Sequence, residues 1–214
     1  MNLQADGRDV RESGGKATGL FVVRKPVPNS FRRMETMSIQ ICRAQKSECA
    51  IVASNLQEFG NDEQANYRRC EAQENGEGVL LVAWLDGTPV GRLWIRWAGC
   101  HEIPRIKDTH PVAATIRECP SFDEIEVAKG LRSKGIGTQL IRHAEMLAKE
   151  QGYHHVSMTA EHDGRPRKLY ERLGYSDPGI GVFHTFGTYT DDDGEEIPWD
   201  NGHQVFLIKE LDDL

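Results

Sequence analysis

The sequence predicts an α/β domain built around one mixed sheet, and three observations support this fold class. Short apolar runs typical of strands alternate along the chain with segments of helical periodicity. Residues 135–151 form a clearly amphipathic helix pattern. An Asp86-Gly87 pair between two apolar runs indicates a β-hairpin. The elements follow the order strand, helix, helix, three strands, helix, strand, helix and two strands.

The first half of the chain contains the hairpin. Ile39 and Ile41 alternate with polar residues, which indicates a strand, and Ala50, Ile51, Ala53 and Leu56 lie near helical spacing. The patterns predict, in order, a strand at 38–42, helices at 44–59 and 63–72, strands at 79–85 and 90–97, and a long irregular segment at 99–120.

The second half contains the amphipathic helix at 135–151, which Gly152 ends. Its apolar face consists of Ile136, Leu140, Ile141, Ala144, Leu147 and Ala148. Asp163 is well placed to cap a short helix that runs to Leu173 and ends at Gly174. The remaining predictions are strands at 122–128, 155–160 and 205–208, with a long, glycine-rich and acidic hairpin connection at 176–202.

The first 36 residues differ in composition from the rest. They are rich in glycine, with two prolines and scattered charges, and only 20–23 is an apolar run. We therefore expect 1–36 to be a disordered extension and 37–214 to be the folded domain. The extension has seven basic and four acidic residues, so the net charge of −7 leaves −10 on residues 37–214.

Charge and hydropathy exclude several classes of partner. The sequence pI of about 5.6 argues against a nucleic-acid partner, which requires a basic surface, and is compatible with a cationic small molecule or a basic peptide. The longest apolar run, at 79–85, is far shorter than the roughly 20 residues of a membrane-spanning helix. We therefore expect neither nucleic acid nor a membrane as a partner.

Five cysteines at irregular spacing, with no secretory signal at the start, predict reduced thiols in a cytoplasmic protein. Cys100, His101, His110 and Cys119 could in principle bind zinc. However, neither a Cys-x-x-Cys pair nor a His-x₃-His pair is present among them. We therefore predict no metal site.

The most informative segment runs from Glu126 to Thr138, where a strand enters a tight turn that leads directly into a helix. The turn contains Arg132, Gly135 and Gly137. Glycines permit a sharp turn and a close approach of ligand to backbone. The unpaired amides and the dipole at the start of a helix favour a phosphate group. The Walker and Gly-x-Gly-x-x-Gly patterns are both absent.

This segment resembles the acetyl-CoA signature of the GNAT superfamily of N-acetyltransferases, Val-x-Pro-x-x-Arg-x-x-Gly-x-Gly-x-x-Leu. Lys129 stands where that family often has proline. A second block resembles the family phrase Leu-Tyr-Glu-x-x-Gly-Phe and follows Asp163, which corresponds to the family's Asn-like cap. The matching residues are Val127, Arg132, Gly135, Gly137 and Leu140, then Leu169, Tyr170, Glu171, Gly174 and Tyr175.

The resemblance implies a mostly antiparallel sheet of about six or seven strands with about four helices. It also implies that the Val127 strand splays from the strand at 155–160, so that the pantetheine arm of acetyl-CoA pairs with it like an added strand. Acetyl-CoA would be a co-substrate, and an amine would enter from the opposite side. The implied cofactor-binding residues are Val127, Ala128, Arg132, Ser133, Lys134, Gly135, Ile136, Gly137, Thr138 and Asp163.

For catalysis, the resemblance implies that Tyr170 is the acid that protonates the leaving thiolate. In relatives that take their base from the Val127 strand, the carboxylate corresponds to Asp123, and Glu124 is the alternative. Strand parity puts Asp123, Ile125 and Val127 on one face and Glu124 and Glu126 on the other, unless a bulge intervenes.

The predicted function is therefore acetyl-CoA-dependent acetyl transfer to a primary amine by direct attack in a ternary complex. A small cationic amine, such as a polyamine or aminoglycoside, suits the acidic domain. The alternatives are a protein N-terminus or lysine as acceptor, or a non-catalytic acyl-CoA-binding module. We expect a monomer or a homodimer.

Overall fold

The computed structural model describes residues 38–57, 63–100, 113–117, 119–190 and 194–211, all within one compact unit of the chain. Predictions about residues 1–36, and about His101 and His110 of the candidate zinc site, lie outside the described residues. None of the described helices combines the length and apolar character needed to cross a membrane.

In the part of the chain that the structure describes, seven strands form one sheet with the order β1-β2-β3-β4-β5-β7-β6. Neighbouring strands are antiparallel except for β4 and β5, which are parallel. The predicted α/β fold with a mostly antiparallel sheet is thus confirmed. The strands are β1 (Ile39–Arg43), β2 (Gly78–Leu85), β3 (Thr88–Arg96), β4 (Ser121–Val127), β5 (His155–Glu161), β6 (Val182–Thr190) and β7 (Glu196–Glu210).

The described residues form five α-helices among these strands: α1 (Cys49–Asn55), α2 (Glu63–Glu74), α3 (Ala113–Arg117), α4 (Ile136–Glu150) and α5 (Arg165–Arg172). The β2–β3 hairpin turns at Asp86 and Gly87, both with positive φ, as the Asp-Gly pair predicts. Two segments differ from prediction. The irregular segment at 99–120 contains α3, and the connection at 176–202 consists mainly of β6 and the first half of β7.

Two apolar cores lie on opposite faces of the sheet. On one face, the apolar side of α4 packs on alternate residues of β2 and β3, including Leu81 and Leu93. On the other face, α1 and α2 pack on the intervening residues, including Leu80 and Trp94. Alternation along β2 and β3 therefore buries both faces, which explains why these strands are continuous apolar runs.

We predict that a chain starting at Met37 keeps its melting temperature and its acetyl-CoA affinity, because residues 1–36 lack a periodic apolar face. Within 1–36, the short apolar run at 20–23 is the part whose burial could raise the free energy of unfolding, by a few kcal/mol at about 25 cal/mol per Å² of buried area. Thermal unfolding and titration calorimetry of both chains test this. Aggregation of the shorter chain, or a loss of several degrees, would show that the run is structural.

Candidate active site

The sheet opens between its two parallel strands. The described parts of β4 and β5 share one registered pair, Ser121 with Ser157, next to which the Ser157 amide donates to the Pro120 carbonyl at 2.8 Å. Beyond this point β4 continues to pair with β3, and β5 continues to pair with β7. The facing edges of β4 and β5 therefore diverge, as the resemblance implies.

At the end of β4 the chain enters a short 3-10 turn, Lys129–Leu131, and then the start of α4. Gly135 is the N-cap of α4 with φ of 85°, a left-handed conformation that favours glycine, and no side chain caps the helix. Residues 132–135 are exposed. The amides of the first turn of α4 have no partner within the helix, so this end can accept an anion.

Two arginine side chains organise this loop. Arg132 Nε donates to the carbonyl of Val127 at 3.0 Å, and Arg165, the first residue of α5, donates to Ser133 Oγ at 2.8 Å. Arg165 was missed in the sequence analysis. The available signal was the basic run Arg165-Pro-Arg-Lys at the start of α5, which lies far from the glycine motif in the sequence. Together with Lys134, these residues make the loop electropositive in an acidic chain.

Tyr170 lies on α5, the helix that follows β5. Its side chain is 7% exposed and belongs to the core beneath α4, with its ring edge-on to that of Tyr175 at 6.4 Å between centroids. Burial raises the pKa of Tyr170 to about 12. The phenol therefore keeps its proton at neutral pH and well above it.

We predict that Tyr170 and Tyr175 stay protonated when the pH passes about 10, where an exposed phenol ionises. Burial raises the pKa of Tyr175 as well, and the Glu145 carboxylate beside its hydroxyl adds to the effect. The phenol of Tyr170 is neutral in both the folded and the unfolded chain below about pH 10, so its burial contributes fully to the free energy of unfolding there. That contribution is lost as the pH rises from about 10 toward about 12, because only the unfolded chain ionises readily in this range.

Phenolate absorbance measured against pH tests this prediction. Wild type should show two late-titrating groups, and Tyr170→Phe should keep only the one from Tyr175. If the two proteins show the same late-titrating absorbance, the prediction for Tyr170 is wrong.

The carboxylates of β4 follow a bulge. Arg92 of β3 lies opposite Glu126 and Trp94 lies opposite Asp123, so one β3 residue faces two β4 residues, Glu124 and Ile125. Glu124 has a positive φ of 53°. The bulge shifts the alternation of side chains by one residue.

The parity prediction is therefore wrong for Asp123. Ile125 and Val127 pack on the core beneath α4. Asp123 and Glu126 instead bind Arg96 and Arg92, which alternate with the core residues Leu93 and Ile95 of β3. Asp123 thus lies on the opposite face from Val127, on the side of α1 and α2.

Each of these carboxylates is held by hydrogen bonds. Asp123 Oδ1 accepts from Ser121 Oγ at 2.5 Å, and Oδ2 accepts from Arg96 Nε at 3.0 Å. The two oxygens of Glu124 accept from Arg69 of α2 and, at 3.0 Å, from Arg92. Glu126 accepts from Arg92 Nε at 3.2 Å.

Asp163 does not cap α5, which corrects the sequence prediction. The N-cap is Gly164, with no side-chain cap, and the Asp163 side chain is 94% exposed. The described residues also contain no group of three or more His, Cys, Asp or Glu side chains arranged to bind a metal ion.

Comparison with known proteins identifies the family. A model of the acetyltransferase (GNAT) family matches residues 49–175, more than half of the chain. The chain belongs to the GNAT acetyltransferase family. Over 61 residues it is 38% identical to streptothricin acetyltransferase of Streptomyces lavendulae. That alignment covers 28% of this GNAT chain and 32%, about a third, of the relative.

Solved structures share the GNAT fold. YncA of Salmonella typhimurium, solved with its cofactor acetyl-CoA, has a TM-score of 0.57 at 18% identity and covers 82% of this chain and 95% of its own. The ribosomal-protein-alanine N-acetyltransferase of Brucella melitensis has a TM-score of 0.55 at 19% identity and covers 80% of this chain and 99% of its own. At these identities the likeness extends to the fold.

The structure brings the predicted cofactor residues of the loop together and places the two candidate bases apart from them. The loop residues 127–138 form a continuous path from the end of β4 into the first turn of α4, and Arg165 joins them from α5. Asp123 and Glu124 lie on β4 with their carboxylates toward the face of α1 and α2. Residues 58–62 and 101–112 lie outside the described residues.

Proposed function

We propose that the chain is an acetyl-CoA-dependent N-acetyltransferase that transfers the acetyl group to a primary amine by direct attack in a ternary complex. The observation that carries this proposal is the opening between β4 and β5 beside the glycine-rich start of α4. An opened strand edge can pair with an extended arm, and the helix start beside it can bind a pyrophosphate.

The residues present fit acetyl-CoA. The amides at 133–138, which span the exposed loop residues 133–135 and the first turn of α4, would hold the pyrophosphate, with Arg132 and Lys134 adding positive charge. Gly137 leaves the start of α4 open to a ligand, and Gly135 permits the left-handed turn. Backbone amides near Val127 would stabilise the negative charge that develops on the carbonyl oxygen. The co-substrate supplies the thioester that an amine attacks.

Tyr170 is the proposed proton donor to the leaving thiolate, because it corresponds to the motif tyrosine of the family and its phenol is protonated at neutral pH. Asp123 is the proposed general base, and Glu124 is the alternative. Asp123 Oδ1 accepts its hydrogen bond from a neutral hydroxyl, whereas both oxygens of Glu124 bind arginines. A proton from the amine would therefore displace only a neutral hydrogen-bond donor at Asp123 Oδ1, whereas at Glu124 it would displace an arginine.

The proposed acceptor is a small cationic amine. The net charge of −10 on residues 37–214 favours a cation, and the sequence match to streptothricin acetyltransferase supports a small-molecule acceptor. A protein N-terminus or lysine is the alternative acceptor, and an acyl-CoA-binding module without catalysis is the alternative function.

Release of coenzyme A thiol from acetyl-CoA, measured with a panel of amines, tests these proposals. The panel contains a polyamine, an aminoglycoside, streptothricin, a peptide with a free N-terminus and a blocked peptide with one lysine. We expect turnover with at least one of the small amines. Turnover with a peptide alone would favour the alternative acceptor. Binding of acetyl-CoA without turnover of any amine would favour the binding module.

A further inference from the structure

The β4 bulge contains a backbone conformation that its sequence does not favour. Glu124 has φ of 53°, a left-handed value that glycine adopts readily and glutamate rarely does. This residue lies between Asp123 and Val127, the proposed base and the first proposed cofactor contact. Its conformation therefore sets how the two are oriented relative to each other. A conformation of this kind persists when the surrounding contacts hold it in place.

Two arginines from different elements supply those contacts. Arg69 on α2 binds one oxygen of Glu124, and Arg92 on β3 binds the other at 3.0 Å. The side chain of Arg92 is 1% exposed, and its Nε also binds Glu126 at 3.2 Å, just past the bulge. The guanidinium of Arg69 lies over the Trp94 ring, 5.2 Å from its centroid.

We propose that Glu124, Arg69 and Arg92 form a positioning clamp that holds the β4 bulge and thereby orients the β4 amides beside the thioester. This inference rests on the proposed function. Arg92 connects the residues on both sides of Ile125, and Arg69 connects the bulge to the helix layer. A displacement of reacting groups by about 1 Å can lower a rate by about a hundredfold.

The clamp assigns Glu124 a different role from that of a general base, and the two roles give different results. A clamp needs hydrogen-bond acceptors, and the amide oxygen of Gln still supplies one of the two that Glu124 offers, whereas a base needs a carboxylate. We expect Glu124→Gln to keep kcat within about tenfold of wild type. Glu124→Ala should lose about a hundredfold in kcat, with little change in KM for acetyl-CoA.

Arg69→Ala tests the clamp from α2, with Arg68→Ala as its matched control. Arg68 is the neighbouring exposed residue on the same helix. We expect about a tenfold or greater loss of kcat for Arg69→Ala, and wild-type kcat for Arg68→Ala. The ascending limb of the pH–rate profile should remain in Glu124→Ala and Arg69→Ala, because the base is still present.

Amide NMR spectra of the same proteins give a readout that does not require turnover. We expect the amide signals of 125–127 to shift in Glu124→Ala and Arg69→Ala, to shift less in Glu124→Gln, and to stay near wild type in Arg68→Ala. Unchanged signals and unchanged kcat in Glu124→Ala would overturn the clamp. An equal loss of kcat in Glu124→Gln and Glu124→Ala, with loss of the ascending limb, would overturn it in favour of a base.

If wild type turns over no amine, the proposed function fails. The NMR shifts then decide separately whether the bulge is held in this way.

Discussion

Gly137→Asp is expected to abolish detectable acetyl-CoA binding in a protein that remains folded. The new carboxylate would lie in the first turn of α4, where the amides at 133–138 are proposed to hold the pyrophosphate. Two like charges about 4 Å apart near a protein surface repel by about 4 kcal/mol, which is about a thousandfold in Kd. Titration calorimetry of wild type and variant measures the change.

Gly137→Ala is the matched control, because it adds a carbon without adding charge. A Cβ at this position would lie 3.7 Å from Val127 Cγ2, which is ordinary van der Waals contact, so the fold should accept it. We expect Gly137→Ala to bind acetyl-CoA far more tightly than Gly137→Asp, at a similar melting temperature. Wild-type affinity in a folded Gly137→Asp protein would remove the basis for the cofactor site. Gly135→Asp is a poorer test, because the φ of 85° at Gly135 would also strain the backbone.

Tyr170→Phe is expected to lower kcat by about ten- to a thousandfold while acetyl-CoA affinity changes little. The substitution keeps the ring and its edge-on contact with Tyr175 and removes the proposed proton donor. Steady-state kinetics with the best acceptor from the amine panel measures kcat, and calorimetry measures the affinity.

Tyr153→Phe is the control for the loss of a tyrosine hydroxyl elsewhere. Tyr153 stacks on Trp97 at 5.5 Å between ring centroids, and phenylalanine keeps that contact. We expect this variant to match wild type in kcat. A normal kcat in Tyr170→Phe would mean that Tyr170 is a core aromatic without a chemical role.

The sequence was sufficient for elements whose pattern is local. On α4, five of the residues predicted for the apolar face are fully buried: Ile136, Leu140, Ile141, Ala144 and Ala148. The hairpin followed from Asp86 and Gly87, and the loop into α4 followed from Gly135. In each case the spacing or the backbone preference of a few neighbouring residues determines the structure.

The faces of β4 could not be predicted in the same way. A bulge is often marked by glycine, but here glutamate occupies the left-handed position. Its two arginine partners are 55 and 32 residues away in sequence, so no local pattern indicates them. One unrecognised extra residue was enough to assign Asp123 to the wrong face.

Two further differences have simple causes. Asp163 is a common capping residue type, yet Gly164 takes the extended cap conformation one residue later and the Asp163 side chain points to solvent. In β6, exposed residues alternate with more buried ones such as Thr185, which is a strand pattern. The neighbouring glycines and acidic residues favoured a loop in the sequence analysis.

The single registered pair between the described parts of β4 and β5 divides the sheet into two ladders that meet at one point. Ser157 makes both backbone and side-chain hydrogen bonds to Pro120 at this junction. On one side the strands β1 to β4 are sequential neighbours, and on the other β5 to β7 are consecutive in the chain. A ligand that binds across the two ladders of the folded chain, and does not bind the unfolded chain, therefore raises the free energy of unfolding by mass action. At a free ligand concentration of about 100 times Kd, the increase is about 2.7 kcal/mol.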